Sequence, residues 1–355
     1  MRLVILTQGD RGGGAEFVAR TWAASLEQRG HDVSFVVTSP PQGEPVEGVV
    51  YLRDSGRSPW PPVLPFRRYV KASKPDVVLS LLTYPNLVAL LAALLSGRRT
   101  PVVISERNVP SVLLRQQGRS QRLQLRLARL VYRFASAVVA ISHPVAADLV
   151  AAFSVDPATC TVVPNPATAK LGEDRRRQDR TGPTLTLVLP CRLVPQKDPL
   201  LIPEVARILK QRGRTVSITV FGAGPLEAEV LRDAERAGVP TTMAGWQEEW
   251  FLHCPPRSVV CLPSFVEGFG NVLVEAAAVN VPVVTMSSAL GVADAVVPGV
   301  TGYLAATRDA DEFADLVEAA DRLPTWDVDG WLHRFSPEVS TATLERVLLR
   351  QLTRA

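Results

Sequence analysis

Short runs of aliphatic and β-branched residues recur along the chain, and segments with helical periodicity separate them. In the first half, these runs predict six strands: Leu3–Thr7, Asp32–Val37, Val77–Leu82, Pro101–Ser105, Ala137–Ile141 and Thr161–Val163. The intervening segments, such as Ala15–Gln28, place their apolar residues on one face of a helix. Strands that are apolar throughout and alternate with amphipathic helices are typical of a parallel sheet covered on both faces.

The same pattern begins again after a polar and charged stretch that ends at Pro183. There the apolar runs predict five more strands: Thr184–Leu189, Ser217–Phe221, Val239–Met243, Ser258–Leu262 and Val281–Thr285. The sequence therefore predicts an α/β fold of two doubly wound, Rossmann-like domains at residues 1–168 and 184–335. A linker at 169–183 joins them, and a C-terminal helix at 336–355 is expected to pack back on the first domain. Ligands of such sheets bind beyond the carboxyl ends of the strands, so the expected site is a cleft between the domains.

Composition narrows the class of protein. Of the 355 residues, 46% are apolar and 21% are charged, as in globular proteins, and the formal charge of +4 does not indicate a nucleic-acid-binding protein. The four cysteines are Cys160, Cys191, Cys254 and Cys261. Because they show no CxxC spacing, we expect reduced thiols in the cytoplasm rather than a zinc site or a disulfide framework.

The residues Met1–Leu6 fit a first strand rather than a signal peptide. The apolar stretch from Val77 to Leu95 approaches the length of a membrane span, but Pro85 and Asn86 divide it into a strand and a helix.

The segment after the predicted strand Ser258–Leu262 carries the densest set of candidate ligand groups. They are Glu267, Gly268, Phe269, Gly270, Asn271 and Glu275. The two glycines remove side chains where the backbone approaches a ligand, and amides at the start of the following helix suit phosphate or sugar oxygens. The two carboxylates can each accept paired hydrogen bonds from the vicinal hydroxyls of a sugar or a ribose. The alternative is an ordinary glycine-containing turn before a helix whose acidic residue interacts with the helix dipole.

Three other loops follow predicted strands of the same domain. Their residues of interest are Arg192 and Lys197, then Gly222 and Gly224, then Trp246. The two cations have no obvious acidic partner and suit a diphosphate, although basic residues are also common in surface loops. The glycine pair begins like a dinucleotide-binding fingerprint, but Glu227 occupies the third glycine position, which argues against a dinucleotide cofactor. The indole offers a surface against which a nucleobase can lie.

In order and spacing, these loops resemble the GT4 family of retaining glycosyltransferases, which have the GT-B fold. The Glu-x7-Glu pattern of that family is met by Glu267 and Glu275, its Arg-x4-Lys pattern by Arg192 and Lys197, and its GxGP pattern by residues 222–225. The resemblance extends into the first half through Gly12–Glu16, Ala140–Ser142 and Val163–Asn165. It therefore covers nearly the whole chain.

The resemblance implies transfer of a sugar from a nucleotide-diphosphate donor, with a UDP-sugar favoured, to a hydroxyl acceptor. Arg192 and Lys197 would neutralise the diphosphate, Glu275 would bind the ribose, and Glu267 would bind the transferred sugar. The loop with Trp246 would hold the base. No metal cofactor is implied, because fixed cations and helix N-termini stabilise the departing diphosphate, which itself takes the proton of the acceptor. The implied setting is the assembly of envelope glycans or lipid-linked oligosaccharides, or natural-product biosynthesis.

In the N-terminal domain, which the resemblance assigns to the acceptor, the site residues are Gly13, Gly14, Glu106, Arg107, Asn108 and His143. The two glycines would close over the phosphates of the sugar donor. Many family members carry a histidine that touches the donor sugar, whereas here the corresponding strand end reads Ser105-Glu106-Arg107-Asn108, as in a bacterial subset. Either Glu106 or Arg107 replaces that contact, or the contact is absent. His143 is near the cleft by pattern, although a role at the start of a helix is the favoured alternative.

Two alternatives to a glycosyltransferase remain open from the sequence. One is another GT-B enzyme, such as a nucleotide-sugar epimerase. The other is a non-catalytic nucleotide-sugar-binding protein, against which the full set of charged site residues argues.

A stripe of arginines stands apart from these motifs. Arg119, Arg122, Arg126, Arg129 and Arg133 are spaced three or four residues apart and share one helical face, with a second stripe of Leu123, Leu127, Leu130 and Phe134 beside it. The helix either packs into the core with a solvated basic edge, or holds the protein against anionic lipids or a lipid-linked acceptor. The second interpretation predicts peripheral attachment to the inner face of the membrane.

Overall fold

The computed structural model describes residues 1–10, 13–41, 43–53, 62–97, 100–116, 118–172 and 178–353. Gly12 and residues 173–177 of the predicted linker lie outside the described residues. The chain divides into two compact units. Unit 1 consists of Met1–Pro166 and Arg334–Ala355, and unit 2 consists of Ala167–His333.

Unit 1 contains a parallel sheet whose strands follow one another in the order β3-β2-β1-β4-β5-β6-β7. The strands are β1 Arg2–Thr7, β2 Asp32–Val37, β3 Val49–Tyr51, β4 Val77–Leu81, β5 Val102–Glu106, β6 Ala137–Ala140 and β7 Cys160–Val162. The helices that connect them are α1 Gly14–Gln28, α2 Val63–Ser73, α3 Thr83–Leu95, α4 Pro110–Gln116, α5 Arg119–Val131 and α6 His143–Phe153. The order reverses between β1 and β4, as in a doubly wound sheet.

Unit 2 contains a second parallel sheet in the order β10-β9-β8-β11-β12-β13. Its strands are β8 Leu185–Leu189, β9 Val216–Val220, β10 Thr241–Met243, β11 Ser258–Leu262, β12 Val283–Met286 and β13 Gly302–Ala305. Its helices are α7 Leu201–Gln211, α8 Glu227–Arg236, α9 Asn271–Ala278, α10 Ala310–Asp321 and α11 Asp329–Leu332. Here the order reverses between β8 and β11. The two sheets confirm the predicted fold class.

The last helix, α12 Pro337–Leu352, belongs to unit 1 and contacts α1, β4 and β6. It begins after Ser336, whose hydroxyl accepts a hydrogen bond from the Val339 amide at 3.2 Å, with proline at the first helical position. The indole of Trp22 donates to the Ser340 hydroxyl at 2.8 Å, and that hydroxyl donates to the Pro164 carbonyl at 2.6 Å. These bonds hold α12 against α1 and against the segment after β7.

The apolar stretch from Val77 to Leu95 forms β4 and α3, as predicted. Pro85 lies in the first turn of α3, where its missing N–H is not needed, so the helix begins before it rather than after it. Among the described helices, none is both long and apolar enough to cross a lipid bilayer.

Candidate functional site

The loops that carry the predicted charged residues of unit 2 follow β8 and β11. These strands are neighbours at the point where the strand order reverses, so their outgoing connections run to opposite faces of the sheet. A crevice forms at the carboxyl edge of a doubly wound sheet at this position, and ligands bind there. Arg192 and Lys197 lie after β8, and Glu267 lies after β11.

Lys197 and Glu267 form an ion pair across this edge. The ammonium of Lys197 donates to Oε1 of Glu267, and the Ser264 hydroxyl donates to the same oxygen at 2.7 Å. The two charged side chains are only 16% and 10% exposed. The sequence predicted no acidic partner for Lys197, and this was wrong, because the partner lies 70 residues away and adjoins it only through the pairing of β8 with β11.

Two further bonds join the same pair of loops. The Gln196 side-chain amide donates to the Val266 carbonyl at 3.0 Å, and the Phe265 amide donates to the Gln196 carbonyl at 2.9 Å. These bonds hold the 3-10 turn Pro195–Lys197 against the loop that carries Glu267. The Arg192 side chain is exposed and has no hydrogen-bond or ion-pair partner among the residues that the structure describes.

The glycines after β9 are required by the protein's own packing. A Cβ atom on Gly222 would lie 2.0 Å from the Cys191 carbonyl oxygen, and one on Gly224 would lie 2.4 Å from the Leu193 carbonyl oxygen. The Leu193 amide also donates to the Ala223 carbonyl at 3.0 Å. The glycine loop therefore lies directly against the segment that carries Arg192, which is a reason for glycine that the sequence did not predict.

The segment Gly268–Asn271 leads into α9. Gly270 precedes the helix with a φ of 94°, in the left-handed region that favours glycine. Phe269 is buried, so its side chain belongs to the core and only its backbone is available at the edge. Asn271 is the first residue of α9, and its partly buried side chain lies at the positive end of the helix dipole.

Glu275 is buried one turn into α9 and has a partner that the sequence did not indicate. The indole N–H of Trp250 donates to Oε2 of Glu275 at 2.7 Å. Burial raises the pKa of the Glu275 carboxyl, while the bond from Trp250 and the charge of Lys170 act against that rise. Trp250 lies in a 3-10 turn, Trp250–His253, which had no signal in the hydrophobic pattern.

Trp246 lies beyond β10 at the edge of the sheet of unit 2. Its side chain is 72% exposed, and it follows Gly245, whose φ is 71°. An exposed indole beside the carboxyl edge of a sheet offers an uncovered aromatic face to a planar group.

In unit 1, Glu106 ends β5 and is fully buried. Its carboxylate accepts hydrogen bonds from the Tyr132 hydroxyl at 2.7 Å, the Thr83 hydroxyl at 3.1 Å and the Arg107 amide at 3.1 Å. Burial raises the pKa of the Glu106 carboxyl, and these bonds oppose the rise. The carboxylate therefore holds the ends of β4 and β5 together.

The guanidinium of Arg107 is buried and lies over the Trp22 ring, 5.1 Å from its centroid. It donates to the Asn165 side chain and, at 3.4 Å, to the Ser105 hydroxyl, whereas its Nε has no partner among the described residues. Burial lowers the pKa of this guanidinium.

The remaining predicted residues of unit 1 lie at the same edge of its sheet. Gly13 precedes α1 and Gly14 is its first residue, after β1. Asn108 is partly buried after β5, and His143 is an exposed first residue of α6, which Ser142 caps by accepting from the Val145 amide at 3.4 Å.

The arginine stripe lies on α5 and in the turn after it. All five arginines are exposed, and Leu123 and Leu130 beside them are 68% and 60% exposed. The helix packs on the core through another face, formed by Leu125, Ala128 and Val131. Within the second stripe, Leu123 and Leu130 therefore point to solvent next to the arginines, whereas Leu127 and Phe134 are partly buried.

Both halves of the chain match family models of glycosyltransferases. Residues 12–170 match Glycosyltransferase Family 4, and residues 185–320 match Glycosyl transferases group 1. A D-inositol 3-phosphate glycosyltransferase of Kribbella flavida is 32% identical, over 53% of this chain and 49% of the relative. The N-acetylgalactosamine-N,N'-diacetylbacillosaminyl-diphospho-undecaprenol 4-alpha-N-acetylgalactosaminyltransferase of Campylobacter jejuni is 26% identical, over 59% and 57%. The chain thus spans about half the length of the curated relatives that it matches.

Solved structures match along the whole chain. The lipopolysaccharide outer core galactosyltransferase WaaB, in its apo form, gives a TM-score of 0.77 at 16% identity, over 99% of both chains. HepE from Anabaena, in complex with UDP-glucose, gives a TM-score of 0.69 at 18% identity, over 100% of this chain and 98% of that chain. At these identities the likeness shows the fold, which is GT-B.

Proposed function

The chain belongs to the GT4 family of glycosyltransferases with the GT-B fold, and we propose from this that it transfers a sugar from a nucleotide-diphosphate donor to a hydroxyl group. A UDP-sugar is the favoured donor. The observation that carries the proposal is the meeting of Lys197 and Glu267 where the strand order of unit 2 reverses, with Arg192 on the same loop as Lys197.

In this proposal the diphosphate lies against Arg192 and Lys197. Arg192 is exposed and unpaired among the described residues, so it can meet a phosphate without first losing a protein partner. Lys197 would share its three N–H donors between Glu267 and a phosphate oxygen. A cation already held in place, as Lys197 is by Glu267, stabilises the charge that develops on the departing diphosphate, so turnover should continue in the presence of EDTA.

The transferred sugar is proposed to lie at Glu267 and the amides of Gly268–Asn271. Three hydrogen bonds from Lys197, Ser264 and Gln196 hold this loop, so the Glu267 carboxylate is already oriented before a sugar arrives. A fixed carboxylate favours the positive charge that grows on the sugar ring as the bond to phosphate breaks. The mechanism is retaining, with the departing phosphate taking the proton of the acceptor.

The remaining contacts of the donor are proposed from the GT4 motifs of the chain. Glu275 binds the ribose, Trp246 lies against the base, and the backbone of Gly222 and Gly224 borders the phosphates.

The acceptor is assigned to unit 1, at Arg107, Asn108 and His143. Glu106 acts there by holding the loop, because its carboxylate is already engaged by Tyr132 and Thr83. A lipid-linked acceptor is favoured, since the Campylobacter jejuni relative is named for an undecaprenol-linked one.

The exposed stripe on α5 supports docking on an anionic membrane. Arginine and leucine side chains that are exposed on adjoining faces fit the headgroup and acyl regions of a bilayer. Each arginine near an anionic surface contributes about 1 kcal/mol, so several give reversible attachment without a spanning helix.

Co-sedimentation with phosphatidylglycerol vesicles at low salt tests this docking. The triple change of Arg122, Arg126 and Arg129 to Gln should abolish binding, and the same change at the exposed Arg232, Arg236 and Arg350 should not. Salt should release the wild-type protein, as the Debye length falls from ~10 Å at 0.1 M to ~3 Å at 1 M. If the wild-type protein does not bind these vesicles, the proposed membrane docking is refuted and the proposed transfer reaction is unaffected.

The transfer reaction is tested by screening nucleotide sugars for thermal stabilisation, and then the stabilising sugar for turnover with lipid-linked and soluble acceptors. A ligand at 100 times its Kd adds about 2.7 kcal/mol to stability. The expected result is stabilisation by one class of nucleotide sugar and acceptor-dependent release of the nucleoside diphosphate. Free nucleotide released with no transfer, or no response to any nucleotide sugar, would contradict the proposal.

A further inference from the structure

A buried aromatic cluster lies behind the carboxylate that the proposed function assigns to the ribose. Trp250 is 6.1 Å from Phe221 and 6.1 Å from Phe251 between ring centroids, and all three side chains are buried. Phe221 immediately precedes the glycine loop of residues 222–224. The cluster therefore connects that loop with Glu275 on α9.

The bond from Trp250 occupies only one of the two carboxylate oxygens of Glu275. The indole has one N–H and no acceptor, and that N–H is used on Oε2 at 2.7 Å. The other oxygen, Oε1, accepts no hydrogen bond from the described residues. One oxygen of a buried carboxylate is thus held by the protein, and the other is left for a ligand.

From this juxtaposition we propose that Trp250 is a positioning residue that aims Oε1 of Glu275 at a ribose hydroxyl, and so makes the site selective for ribonucleotides. The inference rests on the proposed function. A carboxylate with both oxygens unbonded in an apolar pocket would rotate or take up a proton, and either change removes the acceptor that the hydroxyl needs. The bond from Trp250 opposes both changes, and together with the charge of Lys170 it acts against the rise that burial causes in the pKa of Glu275.

The chain offers a matched control for the loss of this bond. Trp326 is also buried, and its indole N–H donates at 3.0 Å to the Ala277 carbonyl of the same helix, α9. Replacing either tryptophan by Phe removes a buried indole bond to α9. Only the change at Trp250 removes a bond to the carboxylate.

The experiment is calorimetric titration of UDP and of 2′,3′-dideoxy-UDP into the wild-type chain, Trp250→Phe and Trp326→Phe. In the wild type, UDP should bind roughly 10- to 100-fold more tightly than the dideoxy nucleotide, since hydrogen bonds to charged groups have that strength. Trp250→Phe should lose most of this ratio by weakening UDP alone, and Trp326→Phe should keep it. Adding Trp250→Phe to Glu275→Gln should cause no further loss of the ratio, because the two residues act through one contact.

The possible outcomes separate the inference from the proposed function. A wild-type ratio in Trp250→Phe, or an equal loss in Trp326→Phe, would overturn the positioning role while UDP binding itself still supports the site. If the wild-type chain binds neither nucleotide, the uridine-donor proposal fails and the inference fails with it. If Trp250→Phe does not fold, 3-benzothienylalanine at position 250 keeps the bicyclic shape, removes only the N–H, and gives the same decision.

Discussion

Replacing Lys197 by Ala tests whether its ion pair with Glu267 is part of the sugar-donor site. The two side chains are 16% and 10% exposed, so the change leaves a carboxylate largely out of water with the Ser264 hydroxyl as its remaining side-chain partner. Removing one member of a buried ion pair costs about 3–5 kcal/mol. The bond from Ser264 and the residual exposure place the expected loss of unfolding free energy near the lower limit, at about 3 kcal/mol. The double change Lys197→Ala with Glu267→Gln should recover part of this loss, because no unpaired charge remains.

The same change removes a cation proposed to contact the diphosphate. A hydrogen bond to a charged group contributes about 1.5–3 kcal/mol, so UDP affinity should fall roughly 10- to 100-fold. Calorimetry measures the affinity, and urea unfolding followed by tryptophan fluorescence measures the stability. Lys210→Ala is the control, because the Lys210 ammonium is exposed and, within the described part of the chain, donates only to backbone carbonyls, at 2.7 Å to Gly238 and 3.4 Å to Ala237. It should leave UDP affinity unchanged.

Two results would contradict these roles of Lys197. A Lys197→Ala chain that unfolds at the wild-type urea concentration would show that the pair contributes no net stability. A folded Lys197→Ala chain with wild-type UDP affinity would exclude Lys197 from the diphosphate site, whatever the stability result.

Three further predictions concern the same unit. Glu267→Ala should mainly lower kcat and leave UDP affinity near the wild-type value, because the carboxylate acts on the sugar as it becomes cationic; wild-type steady-state kinetics would contradict this. Gly222→Ala should lower the unfolding free energy by about 1–3 kcal/mol, seen as a lower thermal midpoint, because the new Cβ atom would collide with the Cys191 carbonyl. Gly330→Ala in α11 is the control, because its Cβ atom would enter open space and should not destabilise the chain. Burial raises the folded-state pKa of Glu275 above the ordinary value of 4.5, so ionisation of this carboxyl destabilises the folded chain increasingly as the pH rises from 4.5 through the folded-state pKa. Glu275→Gln should therefore unfold at a higher denaturant concentration than wild type at pH 8 but not at pH 4. Equal differences between the two chains at both pH values would contradict this.

Hydrophobic patterning predicted both sheets but missed β3 and β13. Both are edge strands of three or four residues whose middle residues are only partly buried, so they lack the continuous apolar run of the central strands. The alternation of strands and helices predicted that the loops after the strands carry the site, and the residues of the loops after β8 and β11 could therefore be selected from the sequence. The order of the strands, which makes β8 and β11 neighbours, comes from the structure.

The partners of the site residues could not be predicted in the same way. Lys197 is 70 residues from Glu267, and Trp250 is 25 residues from Glu275. Local pattern says which residues end a strand, but tertiary packing decides which side chains meet. The role of Gly222 is a similar case, since its glycine is required by a carbonyl 31 residues earlier in the chain rather than by a turn.

A crystal structure of the chain with bound UDP is the decisive test of the proposed sugar-donor site. We expect diphosphate oxygens within hydrogen-bond distance of Arg192 and Lys197, at the sheet edge where β8 and β11 end, and a ribose hydroxyl on Oε1 of Glu275. Density for UDP at another sheet edge, or a diphosphate that contacts neither cation, would contradict it.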